Sequence, residues 1–260
     1  MEQLRDVQRA QPWIHVALWY NLLLGIVSAV GFLLDGRQVT GVNPWLKPLK
    51  FEVSIILFLA TAAWMLAHLP VDQVVKRTIG NGIAVAMAVE ISAIVVQAAR
   101  GARSHFNHDT PLDSAIFALM GVMIGINTLL MAWMLLLYFR TSPDLAPALL
   151  WGVRLGLVLF LMASIQGFLI VGNRAHTVGA PDGGPGLLFL NWSTRFGDLR
   201  VAHFLGMHGI QILPLLGWLA SRNDRTAGVG LVVVVFVILF CLFAWSLLQA
   251  LAGKPVLRLT

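Results

Sequence analysis

The sequence predicts an all-α protein, a polytopic transmembrane bundle of seven helices forming a single domain over residues 1–260. Three observations predict it. The chain is 58% hydrophobic and 12% charged, about half the charge of a soluble domain. Seven runs reach the roughly 20 apolar residues needed to cross about 30 Å of hydrocarbon. Breakers and charges separate these runs, which lack strand-like alternation, so a transmembrane barrel is excluded.

The first run, 13–34, follows the polar stretch MEQLRDVQRAQP and is too long for a signal-peptide core. With no small-x-small cleavage site after it, it is expected to stay in the membrane as a helix. The others fall at 50–69, 79–99, 114–138, 148–172, 200–220 and 228–252. Trp13, Trp19, Trp133, Trp151 and Trp218 stand towards the ends of runs, where amphipathic rings favour the membrane interface. His15 and His68 are expected there too. Cys241 lies inside the last run and is read as a small buried hydrophobe; a lone cysteine makes no internal disulfide and no CxxC site.

Seven crossings place the connections at 70–78, 139–147 and 221–227 on the side of the N-terminus, and these are short and plain. Those at 35–49, 100–113 and 173–199 share the opposite side and are rich in polar residues. Of the 18 Lys and Arg, eight belong to the plain side (Arg5, Arg9, Lys76, Arg77, Arg140, Arg154, Arg222 and Arg225). The rich side has ten: Arg37, Lys47, Lys50, Arg100, Arg103, Arg174, Arg195, Arg200, Lys254 and Arg258. Counted raw, the rich side is cytoplasmic; discounting the cations inside dense motifs reverses this and favours a periplasmic or extracellular rich side. A net charge of +6 is of the sign that suits nucleic acid, but the cations form no basic block or aromatic-basic stripe, so no nucleic-acid partner is expected. The expected partner is the lipid bilayer.

Three motifs occupy the rich side. In GVNPWLKPLKFE, Lys47, Lys50 and Glu52 enter the second helix within a turn or so, either as a site for an anionic group with Glu52 as partner or as a snorkelling anchor. In the third helix, Glu90 and Gln97 differ by about 20° and share one face, with Arg100 about 80° round. Glu90 lies about 15 Å inside the segment, and a carboxylate at that depth is a functional candidate by default. After it, Ser104, His105, Asn107, His108, Asp109 and Asp113 crowd together.

The third motif is the long connection 173–199. Its glycines and prolines shape a loop, and Phe189, Leu190, Trp192 and Phe196 suggest a lid or plug. Asp198 is placed to cap the helix carrying Arg200. Within that helix His203 and His208 differ by about 140°, so a straight helix does not offer both to one metal. Gly206 and Gly209 would permit distortion or close packing.

The stretches NPWLKPLKF, RGARSHFNHDTP, HTVGAPDGGPGLLFLNWST and GDLRVAHFLGMH together resemble a family of uncharacterised bacterial multi-pass membrane proteins. The resemblance implies a bacterial inner-membrane location and a similar helix count. It implies no activity and lends no functional residue.

Three readings stand open. One is a membrane enzyme or redox protein holding a metal ion or haem through His105, His203, His208 and His176, with Glu90 or Asp113 as acid–base or supporting partner. Another is a transporter or binding protein for a small anionic or lipidic ligand held by Lys50, Arg100, Asn107, Asn191, Arg200 and Gln211. The third is a structural protein whose polar cluster locks the helices. The last run holds no mid-membrane lysine, which excludes a retinal protein, and no nucleophile elbow, P-loop, dinucleotide fingerprint or HExxH helix occurs.

Overall fold

The computed structural model describes residues 11–222 and 227–258. Arg5, Arg9 and Arg225, counted above for orientation, lie outside them. Seven spans are long and apolar enough to cross a membrane, so the chain is an all-α, multi-pass integral membrane bundle. It divides into two compact units, one ending at Leu137 and one beginning at Tyr138.

The first unit contains α1 (Pro12–Leu34), α2 (Leu46–His68), α3 (Gln73–Arg100) and most of α4 (Pro111–Arg140). α1, α2 and α3 each pack on the other two, around buried Leu59, Ala62, Met65, Leu66, Ile79, Ile83 and Ile91. Their outer faces are apolar: Leu33 is 80% and Val74 75% exposed, as hydrocarbon-facing positions should be. α2 begins four residues and α3 six residues earlier than hydropathy indicates. Hydropathy reads only the hydrocarbon part of a helix, and Pro48 in the first turn of α2 forfeits no intrahelical bond. Gly101 ends α3 in the left-handed conformation, φ 68°. Thr110 opens α4: its hydroxyl accepts from Asp113 N–H and donates to Asp113 Oδ2 at 2.6 Å, a reciprocal cap.

The second unit contains α5 (Pro147–Asn173), a strand pair, α6 (Leu199–Met207), α7 (Gly209–Ala220) and α8 (Ala227–Leu251). β1 (Thr177–Val178) runs antiparallel to β2 (Gly197–Asp198), with Thr177 opposite Asp198. The sixth span is therefore broken at His208. Close packing explains why glycines flank the break. A Cβ on Gly206 would stand 2.6 Å from Ala163 Cβ, and one on Gly156 would stand 2.8 Å from the Gly209 carbonyl, so α6 and α7 approach α5 nearly backbone to backbone.

One expectation needs correction. Cys241 is exposed on the outer face of α8, not buried, because an apolar run says nothing about which of its faces meets lipid. The apolar residues of the long connection divide: Trp192 packs on Phe204 with centroids 5.4 Å apart, while Leu188 and Phe189 are 81% and 68% exposed. Residues 185–194 form a tight hairpin, with Leu187 N–H bonded to Trp192 O and Thr194 N–H to Pro185 O, and its tip points outward.

Candidate functional site

In the first unit the connection 35–45 is tied down before α2 starts. Arg37 binds Asp35 and the Ala99 carbonyl, Trp45 Nε1 donates to Asp35 Oδ2, and Asn43 Oδ1 accepts from Trp45 N–H. The Arg37 side chain and backbone and the Trp45 indole hold the Asp35 carboxyl well below the usual carboxylate range, against a smaller opposing effect of burial. This clasp sets the start of α2 and so the reach of Lys47. The Lys47 ammonium donates to His105 Nδ1 at 3.0 Å, and Ser104 Oγ stands 3.1 Å from the same nitrogen. With an ammonium donating to Nδ1, the ring hydrogen belongs on Nε2. That edge faces Glu90 Oε1 at 3.8 Å.

His105 reaches so deep a carboxylate because its connection folds inward. Phe106 adopts φ 54°, Ser104 and Asn107 are buried, and the imidazole stands among Phe51, Phe106 and Phe117 with centroids about 6 Å away. Asn107 shapes this turn, donating to Arg103 O and accepting from Asp109 N–H. Glu90 is 3% exposed, and its Oε2 has no hydrogen-bond partner. The gap of 3.8 Å is too short for an intervening water; a side-chain shift of about 1 Å would make the bond direct.

Asp113 lies apart from this arrangement. It accepts from Arg100 at 2.7 Å, Gln97 at 2.8 Å and Thr110 at 2.6 Å, which joins the end of α3 to the start of α4. Arg100 is thereby paired. Glu52 does not pair with the lysines of its motif: Ser28 of α1 donates to its Oε1 at 2.7 Å, and its Oε2 is buried without a partner. Lys50 is half-buried on the same helix. A shallow cleft lined by Tyr20, Ala88, Ser92, Val96, Ile116 and Leu119 is almost wholly apolar.

In the second unit the expected site residues bond to neighbouring side chains and backbone. Asp198 is 1% exposed and caps α6 through Arg200 N–H, as expected. It also accepts from Ser193 N–H and takes both Nε and Nη2 of Arg200, whose Nη2 in turn reaches the Asn191 carbonyl. Asn191 thus contributes its backbone, at φ 56°. His203 donates from Nδ1 to Ala163 O at 2.9 Å with Gln166 Oε1 at 3.2 Å, and Gln166 Nε2 donates to Leu199 O. His208 meets Gln211 Oε1 at 3.3 Å and the Phe204 ring. His176 pairs with Asp182, Nδ1 to Oδ2 at 2.6 Å. Burial pushes the Asp182 carboxyl up, but the His176 ring and the backbone N–H groups of His176 and Thr177 outweigh it and hold the carboxyl below its ordinary range.

Among the described residues no three His, Cys, Asp or Glu side chains come together as a group able to hold a metal ion. The sequence marks Lys47 and Ser104 within their motifs but does not show that they meet at His105 Nδ1. Lys47 stands in the quoted motif, but nothing in a linear motif says which face of α2 meets the 101–110 turn. No protein-family model, curated protein or solved structure matches the chain.

Proposed function

We propose that the chain is a transporter or small-molecule-binding membrane protein whose working group is Glu90, a carboxylic acid that takes up and releases a proton through His105. The observation that carries this reading is the directed series Lys47–His105–Glu90, which ends on a buried carboxylate with one unpartnered oxygen. An intramembrane carboxylate is costly and usually functional, and a half-satisfied one changes partners easily. The Lys47 ammonium passes a proton to Nδ1 as Nε2 passes its own to Glu90 Oε1, which leaves an amine, a neutral imidazole protonated at Nδ1 and a carboxylic acid; a proton from water restores the ammonium, and exchange with water returns the ring hydrogen to Nε2. Lys47 holds the ring in the tautomer that points Nε2 at Glu90. The other two buried acids among the described residues of the unit bond elsewhere, Glu52 through Oε1 to Ser28 of α1 and Asp113 to Arg100.

An anion site built on Arg100 and Arg200 has less support, since each carries a carboxylate partner. Among the described residues no group of three or more His, Cys, Asp or Glu side chains stands behind the metal reading. The test uses purified full chain in liposomes containing a trapped pH-sensitive dye, with a potassium diffusion potential as driving force. Proton entry is expected to exceed that of empty liposomes and to fall at least tenfold in Glu90→Gln. Wild-type liposomes no leakier than empty ones, or a Glu90→Gln protein as active as wild type, would overturn the proposal.

A further inference from the structure

Polar side chains share the buried face of α1 with Ile14 and Ala17: Asn21 and Ser28 lie on the helix, and Gln11 immediately precedes it. Gln11, Asn21 and Ser28 are 2%, 0% and 0% exposed, and Asn21 and Ser28 stand about 15 Å and 25 Å along the helix from Gln11. On the facing helices, Asn81 of α3 and Glu52 of α2 are also turned inward, with Glu90 about 13 Å further along α3 than Asn81. Six buried polar atoms of these side chains have no partner: Gln11 Nε2 and Oε1, Asn21 Oδ1, Asn81 Oδ1, Glu52 Oε2 and Glu90 Oε2.

Five of those six are acceptor oxygens, and two nearby donor groups are directed elsewhere: Asn21 Nδ2 to Ala17 O and Ser28 Oγ to Glu52 Oε1. Buried polar groups are almost always satisfied by protein or by water. Water donates two hydrogens and is the ordinary partner of such oxygens inside proteins. Their spread over about 25 Å of helix rules out a single ion satisfying them all.

We propose that α1, α2 and α3 enclose a file of water molecules running from Glu90 and Glu52 to Gln11 and Asn81 at the plain end, and that protons cross the membrane along it. The proposal rests on the reading of Glu90 as the proton-exchanging group. Glu90 gives its proton to the first water and returns to carboxylate; each water accepts one proton and passes one on; the last releases a proton at the plain face. Glu52 is the second carboxylate beside the file, held towards α1 by Ser28.

The experiment combines the proton-entry assay with radiolytic hydroxyl-radical labelling of the full chain, which marks side chains beside bound water even when they are buried. Asn21→Leu is expected to cut proton entry at least tenfold, and Glu52→Gln several-fold. Buried Ile14 and Met87 are expected to be labelled in the wild-type protein, whereas equally buried Phe160 of the second unit is not. Should Asn21→Leu fail to fold, the wild-type labelling still decides. Unlabelled Ile14 and Met87, undiminished proton entry in a folded Asn21→Leu protein, or entry of sodium in place of protons would each overturn the file. If Glu90→Gln stops entry while Asn21→Leu does not, the file falls and the Glu90 reading stands. The reverse result keeps the file and removes Glu90 from it.

Discussion

The two compact units of this chain treat their buried polar groups in opposite ways. Of the eight buried polar atoms without partners among the described residues, seven lie in the first unit and one, Gln249 Oε1, in the second. In the second unit Asp198 accepts from three groups of Arg200 and from Ser193 N–H, and Gln166 joins His203 to Leu199. In the first, Glu52 and Glu90 each keep one oxygen buried and unpartnered. Satisfied networks hold one arrangement; half-satisfied ones are costly and exchange partners. The second unit is therefore read as the rigid part of the molecule and the first as the part that exchanges protons.

That contrast can be broken by substitution. The largest effect is expected from Gly156→Leu, whose Cβ would stand 2.8 Å from the Gly209 carbonyl: α5 and α7 cannot separate without losing their contact, and no monodisperse protein should elute in size-exclusion chromatography. Gln166→Leu comes next. It removes the side-chain donor to the Leu199 carbonyl and one acceptor of His203, a loss of about 1–3 kcal/mol or about 3–8 °C in melting temperature, with proton entry unchanged. A fall in proton entry matching that of Glu90→Gln would move the working site out of the first unit.

Asp182→Asn sharpens the comparison through pH. The Asp182 carboxyl is held below its ordinary value, so its stabilising effect is full above about 3.9, the unfolded value, and fades as pH falls through the folded value. The variant should melt about 2–4 °C lower than wild type at neutral pH. The difference should close in strong acid, and a constant gap would mean that the charge contributes nothing. The smallest effect belongs to His208→Ala, within about 2 °C of wild type, since His208 is held by one bond of 3.3 Å and a ring contact.

The seven spans were legible because hydrocarbon demands long apolar runs, and Asp198 was legible as a cap because capping is local. Glu90 stood out because a carboxylate deep in an apolar run has few cheap explanations. What escaped depends on which faces of distant helices meet. Glu52 looked like a partner for the adjacent lysines, yet it turns to Ser28, while Lys47 reaches across to His105. The histidines shared a residue type without sharing a place: His176 joins Asp182, His203 joins Ala163 and Gln166, and His208 joins Gln211. One sign was available earlier. Asn21 and Ser28 differ by about 20° on α1, so two polar positions on one face of an apolar helix could have been read from spacing alone.

Infrared spectroscopy of the carboxyl groups tests the central claim most directly. Transfer of the reconstituted protein from H2O to D2O should shift one carboxylic acid band that is missing in Glu90→Gln, and the shift should slow markedly in His105→Leu while staying fast in His203→Ala. A spectrum in which no exchanging band depends on Glu90, or an exchange rate indifferent to His105, would contradict the account.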